Sequence, residues 1–327
     1  MTVNTHGRRQ FLAVASASGT VLVAGCFGES ASDEEESDAD AEAEENGDND
    51  DEDGLPEPEP VDVDRIAADP TDVPDPVDWD EPREHEITLE SIEAVAEVED
   101  GLTLRYMTYE GQIPGPMIRV REGDTIDLTF DVPEDENVDA HNVDFHAVYG
   151  PGGAAADTTL APGDDVANVR FQLTYPGVHI YHCAVPNMDH SYDFDAAADE
   201  SPTYVALNGE YLAFTDDGAY GPVEAEVGET ARIYYANGGP NLASSWHAIG
   251  NVWSRYYRDG DLTSAPDENV ETAMVGPGTT TAAEVEFPVP GPVSLVDHAL
   301  SRVVHRGSLG QIAVEGDENT DVYDGDP

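Results

Sequence analysis

From about residue 85 onward, short runs of Val, Ile, Thr, Tyr and Phe are separated by Gly, Pro and Asp. Runs of this length and composition, bounded by turn-forming residues, are typical of β-strands. The same region has no sustained apolar period of 3.6 residues, which amphipathic helices would require. The pattern therefore predicts an all-β protein.

The strand pattern also repeats within the chain. Two pairs of segments match each other, 118–130 with 223–235 and 160–183 with 274–298. His141 and His247 lie 18 and 19 residues after the glycines of the matching turns, so the histidines keep the register of the repeat. Matching units of this kind predict two β-sandwich domains of one type.

The N-terminus has the composition of a targeting segment. Arg8 and Arg9 precede an apolar stretch that ends in Val-Ala-Gly-Cys, with Cys26 last. This resembles a twin-arginine export signal that ends in a lipobox, with Cys26 as the lipidated residue. The alternative, a membrane-spanning helix, needs more than the apolar residues at 11–24. We expect an exported protein held by a lipid anchor on the cell-surface side of the cytoplasmic membrane.

The charge of the chain excludes several classes of partner. Acidic residues number 70 against 13 basic ones, all of them arginine, for a formal net charge of −57. Such a surface repels nucleic acid and anionic lipid. It also repels itself, and molar salt relieves this repulsion by shortening the Debye length to about 3 Å. The composition indicates a salt-loaded environment, as in haloarchaea; an acidic protein from ordinary salt is the alternative.

Residues 29–64 carry 19 acidic and no basic residues, which predicts a disordered tether. The predicted boundaries are a signal at 1–26, the tether and a lead-in at 27–84, a first domain at 85–195 and a second domain at 196–327.

Histidine and cysteine are spaced so that one segment serves two sites. In HNVDFH, His141 and His146 lie five residues apart, and alternation along a strand directs them to opposite faces. The adjacent His182 and Cys183 also face opposite ways. The simplest arrangement pairs His141 with Cys183 and His146 with His182. Histidine with thiolate suits a copper used in electron transfer, whereas an imidazole site with an open position suits copper or zinc acting on a small molecule. A lone cysteine is otherwise an inert apolar side chain.

Five segments closely resemble copper-containing nitrite reductases: GQIPGPMIRVREGDT, HNVDFHAVYGPGGAAADTTLAPGD, PGVHIYHCAVPNM, GGPNLASSWHAIG and SLVDHALSRVVHRGSLGQIAVEG. The resemblance extends from about residue 85 to 320. It implies two cupredoxin-like Greek-key β-sandwich domains, a homotrimer, and reduction of nitrite to nitric oxide. It also implies a small electron-donor protein, such as a blue-copper carrier, as partner.

The resemblance also implies roles for individual residues. His141 and Cys183 match ligands of the type 1 copper. His146, His182 and His298 match ligands of the type 2 copper, His298 being donated by a neighbouring subunit. Asp144 and His247 match the catalytic acid–base pair above the type 2 copper.

The sequence departs from the family pattern after HCAVPNMDH. The family continues with a ligating histidine and then a Gly-Met pair that supplies the axial methionine, followed by further strands. This chain continues with SYDFDAAADESPTYVALNGE instead, and the resemblance implies that several dozen residues of the family pattern are absent. His190 lies seven residues after Cys183, close to where the type 1 histidine belongs. No methionine follows it, and Met188 precedes it, which is the wrong order for the axial ligand. We therefore expect the first domain to lack its last strand.

Other functions remain open on the sequence. A degenerate, inactive paralogue would explain the missing segment. A lipid-anchored blue-copper carrier would use His141 and Cys183 but leave the other matched residues idle. A two-domain multicopper oxidase needs paired HxH motifs and usually a histidine after the cysteine, where this chain has Ala184. The remaining histidines are expected to be structural or surface residues (His6, His85, His179) or have no assigned role (His305).

Overall fold

A computed structural model describes residues 61–186, 196 and 198–325, together with the backbone of 13–16. These residues are mostly strands, which confirms the all-β prediction. The strands are β1 Ala13–Ser16, β2 Glu84–Glu99, β3 Leu102–Tyr109, β4 Thr125–Asp131, β5 Asp144–Phe145, β6 Ala167–Gln172, β7 Tyr181–His182, β8 Val223–Glu226, β9 Thr230–Asn237, β10 Ser244–Ile249, β11 Trp253–Tyr257, β12 Asp267–Val270, β13 Thr272–Val275, β14 Thr279–Glu286, β15 Gly291–Asp297 and β16 Leu309–Glu315.

Helical segments are short and lie between strands. Among the described residues they include α1 Ala155–Thr158, α2 Val303–Arg306, and the 3-10 turns Pro151–Ala154, Arg258–Gly260 and Leu300–Arg302. No helix among the described residues has the length and apolar character needed to cross a bilayer. The predicted lipidation site, Cys26, and most of the predicted signal and tether lie outside the described residues.

The first group of strands forms a four-stranded sheet, β3-β2-β4-β6, and a two-stranded sheet, β5-β7. Strand β4 pairs in parallel with β2 and antiparallel with β6. In β4 the side chains alternate between buried and half-buried. The buried ones, including Leu128 and Phe130, join Val143 and Phe171 in one apolar core. This alternation is the local reason why the segment forms a strand with one face inward.

The second group of strands forms two five-stranded sheets, β1-β9-β14-β11-β12 and β13-β10-β15-β16-β8. Its core is built around a stack of aromatic rings. Trp246 stacks between Tyr235 and Trp253, with ring centroids 4.3 and 5.6 Å apart. All three rings are buried. Large rings of this kind bury more apolar area than any other side chains, so they dominate the packing between sheets.

The sequence repeat corresponds to equivalent strand pairings in the two groups. Strand β4 pairs antiparallel with β6, and β9 pairs antiparallel with β14. Likewise β5 pairs antiparallel with β7, and β10 with β15. The groups differ in their second sheet, which has two described strands in the first group and five in the second. The smaller sheet leaves part of the first core open.

A cavity of about 600 Å³ lies against this part of the first core. Side chains of the core, including Ile126 and Phe171, line it on one side, and Tyr234 of β9 lines it on another. Cys183 and His182 also reach it. The candidate metal ligands therefore lie at the edge of an incompletely covered apolar core.

Asp124 holds the lead-in segment against the first sheet. Its carboxylate is fully buried and accepts hydrogen bonds from Arg83 N, Arg121 N, Trp79 Nε1 and His85 Nε2 at 2.8, 2.9, 3.1 and 2.8 Å. Burial alone would raise the pKa of Asp124, but these hydrogen bonds outweigh burial and lower the pKa to about 2. His85 therefore has a structural role.

Replacing Asp124 with asparagine is expected to lower the free energy of unfolding by about 2–3 kcal/mol, because hydrogen bonds to a buried charge are lost. The folded-state pKa lies below the unfolded value, so this stabilisation is present above about pH 4 and is lost as pH falls towards 2. Urea unfolding in molar salt at pH 7 and at low pH measures both effects. Glu122→Gln, an exposed change two residues away, is the control. Equal stability of Asp124→Asn and wild type at pH 7 would contradict the prediction.

Candidate metal centre

The site is built on the two-stranded sheet of β5 and β7. The antiparallel register places Asp144 opposite His182 and Phe145 opposite Tyr181. Two hydrogen bonds extend the pairing beyond the strands, from His146 N to Ile180 O and from Ala184 N to the Asn142 side chain. This pairing brings the HNVDFH segment alongside the segment that contains Cys183.

His141 and Cys183 lie together on one side of the sheet. The distance from His141 Nδ1 to Cys183 Sγ is 3.7 Å. His141 is buried, and Cys183 is a half-buried free thiol. Imidazole and thiolate ligands lie at about 2.0 and 2.3 Å from zinc, which separates the two donor atoms by roughly 3.5–3.7 Å at tetrahedral to trigonal angles. The observed distance therefore fits two ligands of one metal ion.

The other ring nitrogen of His141 contacts a buried carboxylate. His141 Nε2 lies 3.0 Å from Glu93 Oε1. Burial lowers the pKa of His141, but the hydrogen bonds with Cys183 and Glu93 outweigh it, so the pKa lies above its usual value. Glu93 was not among the predicted site residues; its signal in the sequence was an acidic residue within the mainly apolar run 92–96 of β2.

His146 and His182 form a second pair. Their Nε2 atoms lie 2.9 Å apart, and the rings meet edge to face. Two unprotonated ring nitrogens repel at this distance, so the contact requires a shared proton or a bound cation. Asp144 completes a group of three whose donor atoms all lie within 4.8 Å of one another. Burial and the neighbouring His182 lower the pKa of His146, which favours the neutral imidazole that binds metals.

His247 and His298 form a third pair elsewhere on the chain. Their ring centroids lie 5.4 Å apart, with His247 on β10 and His298 directly after β15. His247 Nδ1 donates a hydrogen bond of 2.7 Å to Glu271 O. Among the described residues, the group of three that contains His146 does not include His298. A single chain therefore brings together His141 with Cys183 and His146 with His182, but not His298 or His247 with the second pair.

No family model matches the sequence. The copper-containing nitrite reductase of Neisseria meningitidis serogroup B is 36% identical over 304 residues, which span 80% of this chain and 76% of that protein. The chain belongs to the copper-containing nitrite reductase family. The corresponding protein of Cereibacter sphaeroides is 29% identical over 296 residues, spanning 73% of this chain and 79% of that protein.

Comparison with solved structures supports the same family assignment. The copper nitrite reductase of Nitrosomonas europaea superposes with a TM-score of 0.65 at 26% identity, covering 72% of this chain and 95% of that chain. A multicopper oxidase superposes with a TM-score of 0.59 at 23% identity, which shows the fold alone. The cupredoxin-like β-sandwich prediction is confirmed.

The donor atoms of the two pairs, His141 with Cys183 and His146 with His182, are of types that suit a copper-containing family. Thiolate and imidazole are ligands that copper accepts, and neither pair has the all-oxygen set that magnesium or calcium prefers. The predicted type 1 ligand His190 and its neighbour Met188 lie outside the described residues. His179 and His305 are exposed.

Proposed function

We propose that this chain is a copper-dependent nitrite reductase that converts nitrite to nitric oxide in denitrification. One observation carries the proposal: two potential ligand pairs are joined by a single peptide bond. In the first pair His141 Nδ1 lies 3.7 Å from Cys183 Sγ, and in the second pair the Nε2 atoms of His146 and His182 lie 2.9 Å apart. Cys183 and His182 are neighbours in the chain. An electron on a metal held by His141 and Cys183 would therefore have a short covalent path, through the peptide bond between Cys183 and His182, to a metal held by His146 and His182.

In this proposal the two pairs hold different coppers. His141, Cys183 and His190 bind a type 1 copper, and His146 and His182 bind a type 2 copper with His298 of a neighbouring subunit. When bound, the type 1 copper supplies one electron, and the type 2 copper acts as a Lewis acid towards nitrite.

Two side chains would supply the protons. Reduction of nitrite to nitric oxide and water consumes one electron and two protons. Asp144 lies within 4.8 Å of the His146 and His182 donor atoms, so its carboxylate can hold a proton beside the substrate. His247 uses Nδ1–H to contact Glu271 O, which leaves Nε2 as the atom that can carry the second proton.

We propose a homotrimer because His298, the third proposed ligand, does not join the group of Asp144, His146 and His182 within one chain. The surface around His247 and His298 carries large exposed apolar side chains. Met274 is 70% exposed, Leu300 67% and Ile249 48%. Met274 lies opposite Ser245, whose carbonyl accepts a hydrogen bond from His298 N. An apolar rim around a ligand is what a subunit interface that completes the site would require.

A deletion in the first domain is part of the proposal. The 304 positions aligned with the Neisseria protein take in 80% of this 327-residue chain, about 262 residues, so roughly 40 positions have no counterpart here. The two-stranded second sheet and the cavity beside Cys183 agree with lost strands. These features also favour a second candidate, an inactive paralogue in which only the type 2 copper binds.

The cellular setting of the protein rests on sequence features alone. We propose export through the twin-arginine route, a lipid anchor at Cys26, and a haloarchaeal source. The acidic surface and the absence of lysine support the last point. A small electron-donor protein such as a blue-copper carrier would reduce the type 1 copper.

Copper analysis with an optical spectrum, on protein prepared in molar salt, separates the two candidates. The reductase is expected to hold two coppers per chain and to show an intense visible band. Cys183→Ser and His190→Ala should each remove the band while one copper remains. A single colourless copper in the wild type would establish the inactive paralogue instead, and a band that survives His190→Ala would contradict the assigned ligand set.

A further inference from the structure

Glu93 lies at the centre of a group of hydrogen-bond donors beside His141. The side chain is buried within β2. Its Oε1 atom accepts hydrogen bonds from Val138 N at 3.0 Å and Asp139 N at 2.8 Å, and it lies 3.0 Å from His141 Nε2. The two backbone donors come from the loop that leads into the HNVDFH segment, and His141 is the first residue of that segment. The carboxylate therefore fixes both the loop and the ring of the first candidate ligand.

The charge of Glu93 is only partly compensated. Arg105 lies 3.8 Å from Oε2 and is 42% exposed, and Oε2 accepts no hydrogen bond from the described residues. Burying a carboxylate with so little compensation is unfavourable. A neutral glutamine could accept the same hydrogen bonds from Val138 and Asp139. The negative charge thus has its clearest use at the imidazole, since a charged acceptor strengthens the hydrogen bond and the basicity of the ring.

The geometry also determines which ring nitrogen of His141 is free. Two backbone N–H groups already point at Glu93 Oε1, so this atom acts as an acceptor and His141 must donate from Nε2. The lone pair then resides on Nδ1, which faces Cys183 Sγ at 3.7 Å. Ligating histidines generally donate their second N–H to a carboxylate or carbonyl in this way.

We propose that Glu93 is a positioning residue that holds His141 in the Nε2–H tautomer and directs Nδ1 towards the metal shared with Cys183. Its negative charge also favours the oxidised form of the copper, and so lowers the reduction potential of the site. The copper part of this inference rests on the proposed function; the tautomer part holds for the metal-free protein.

Two variants and a control test the proposal. Glu93→Gln keeps the acceptor and removes the charge, whereas Glu93→Ala removes both. Glu97→Gln makes the first change at an exposed position of the same strand and serves as the control. In metal-free protein with ¹⁵N-labelled histidine, NMR should show the Nε2–H tautomer of His141 in wild type and control, and a mixture in Glu93→Ala.

Copper binding provides the second measurement. Glu93→Gln should weaken Cu(II) binding at the thiolate site by about 10- to 100-fold and raise its reduction potential, with the control unchanged. Unchanged tautomer, affinity and potential in both Glu93 variants would overturn the proposal, even if both variants melted at a lower temperature. If wild type holds no thiolate-bound copper, the proposed type 1 site fails and the tautomer comparison alone decides the role of Glu93.

Discussion

His146→Ala is expected to reduce nitrite turnover by about 100-fold or more and to remove one copper per chain. His146 and His182 are 2.9 Å apart, so one of them alone cannot hold the metal in the same geometry. Loss of an outer-shell partner alone lowers metal affinity by about 10- to 100-fold, and loss of a direct ligand should exceed this. Turnover with an artificial electron donor and copper analysis give the measurement. His305→Ala, an exposed change in α2, is the control. Full activity of metal-replete His146→Ala would contradict the prediction.

A mixing experiment tests whether His298 acts across a subunit interface. Neither His146→Ala nor His298→Ala should be active alone. When both are co-expressed in one cell, about one interface in four combines an intact His146 with an intact His298 from different chains. In the proposed homotrimer, activity should therefore return when both variants share one assembly. Continued inactivity of mixed trimers that bind copper would show that both histidines must come from the same chain.

Lowering the salt concentration from molar to 0.1 M is expected to reduce the melting temperature by about 10 °C or more. The Debye length grows from about 3 Å to about 10 Å over this range, so the 57 excess negative charges repel one another over longer distances. A loss of a few kcal/mol shifts the melting temperature of a domain of 150–250 residues by roughly 2–4 °C per kcal/mol. Circular dichroism at several concentrations of potassium chloride gives the measurement.

Replacing the salt with sucrose shows whether salt stabilises the protein by screening its charges or by being excluded from its surface. Sucrose stabilises folded proteins by exclusion from their surface but does not screen charge. It should therefore fail to restore the melting temperature at 0.1 M salt. Equal melting temperatures in dilute and molar salt would show that the acidic surface has no role in salt adaptation.

The candidate pairs could be predicted because they follow from local alternation. His141 and His146 are five residues apart, one on each side of β5, and His182 and Cys183 are neighbours, so strand alternation predicted that each segment supplies one ligand to each pair. Only one antiparallel pairing, that of β5 with β7, was then needed to assemble both pairs. The equivalent strands of the second group, β10 and β15, pair in the same way in the structure.

Glu93 and Asp124 could not be predicted in this way. Glu93 contacts His141 from 48 positions away, and Asp124 contacts Trp79 from 45 positions away. Alternation along a strand indicates which face of the strand a side chain occupies, but it does not indicate which distant strand packs against that face. In so acidic a chain both carboxylates resemble ordinary surface residues, and apart from the apolar neighbours of Glu93 in β2 only their burial distinguishes them.

The sequence by itself determined the all-β class, the duplicated unit, the acidic surface and the residue types available to a metal, because each depends on composition or on neighbours within a few positions. Only the tertiary structure decided that His141 Nδ1 faces Cys183, that Glu93 contacts the ring, and that the group of Asp144, His146 and His182 does not include His298 of the same chain. The physical reason is that these contacts depend on how strands far apart in the chain pack together, and packing is set by the whole core rather than by local pattern.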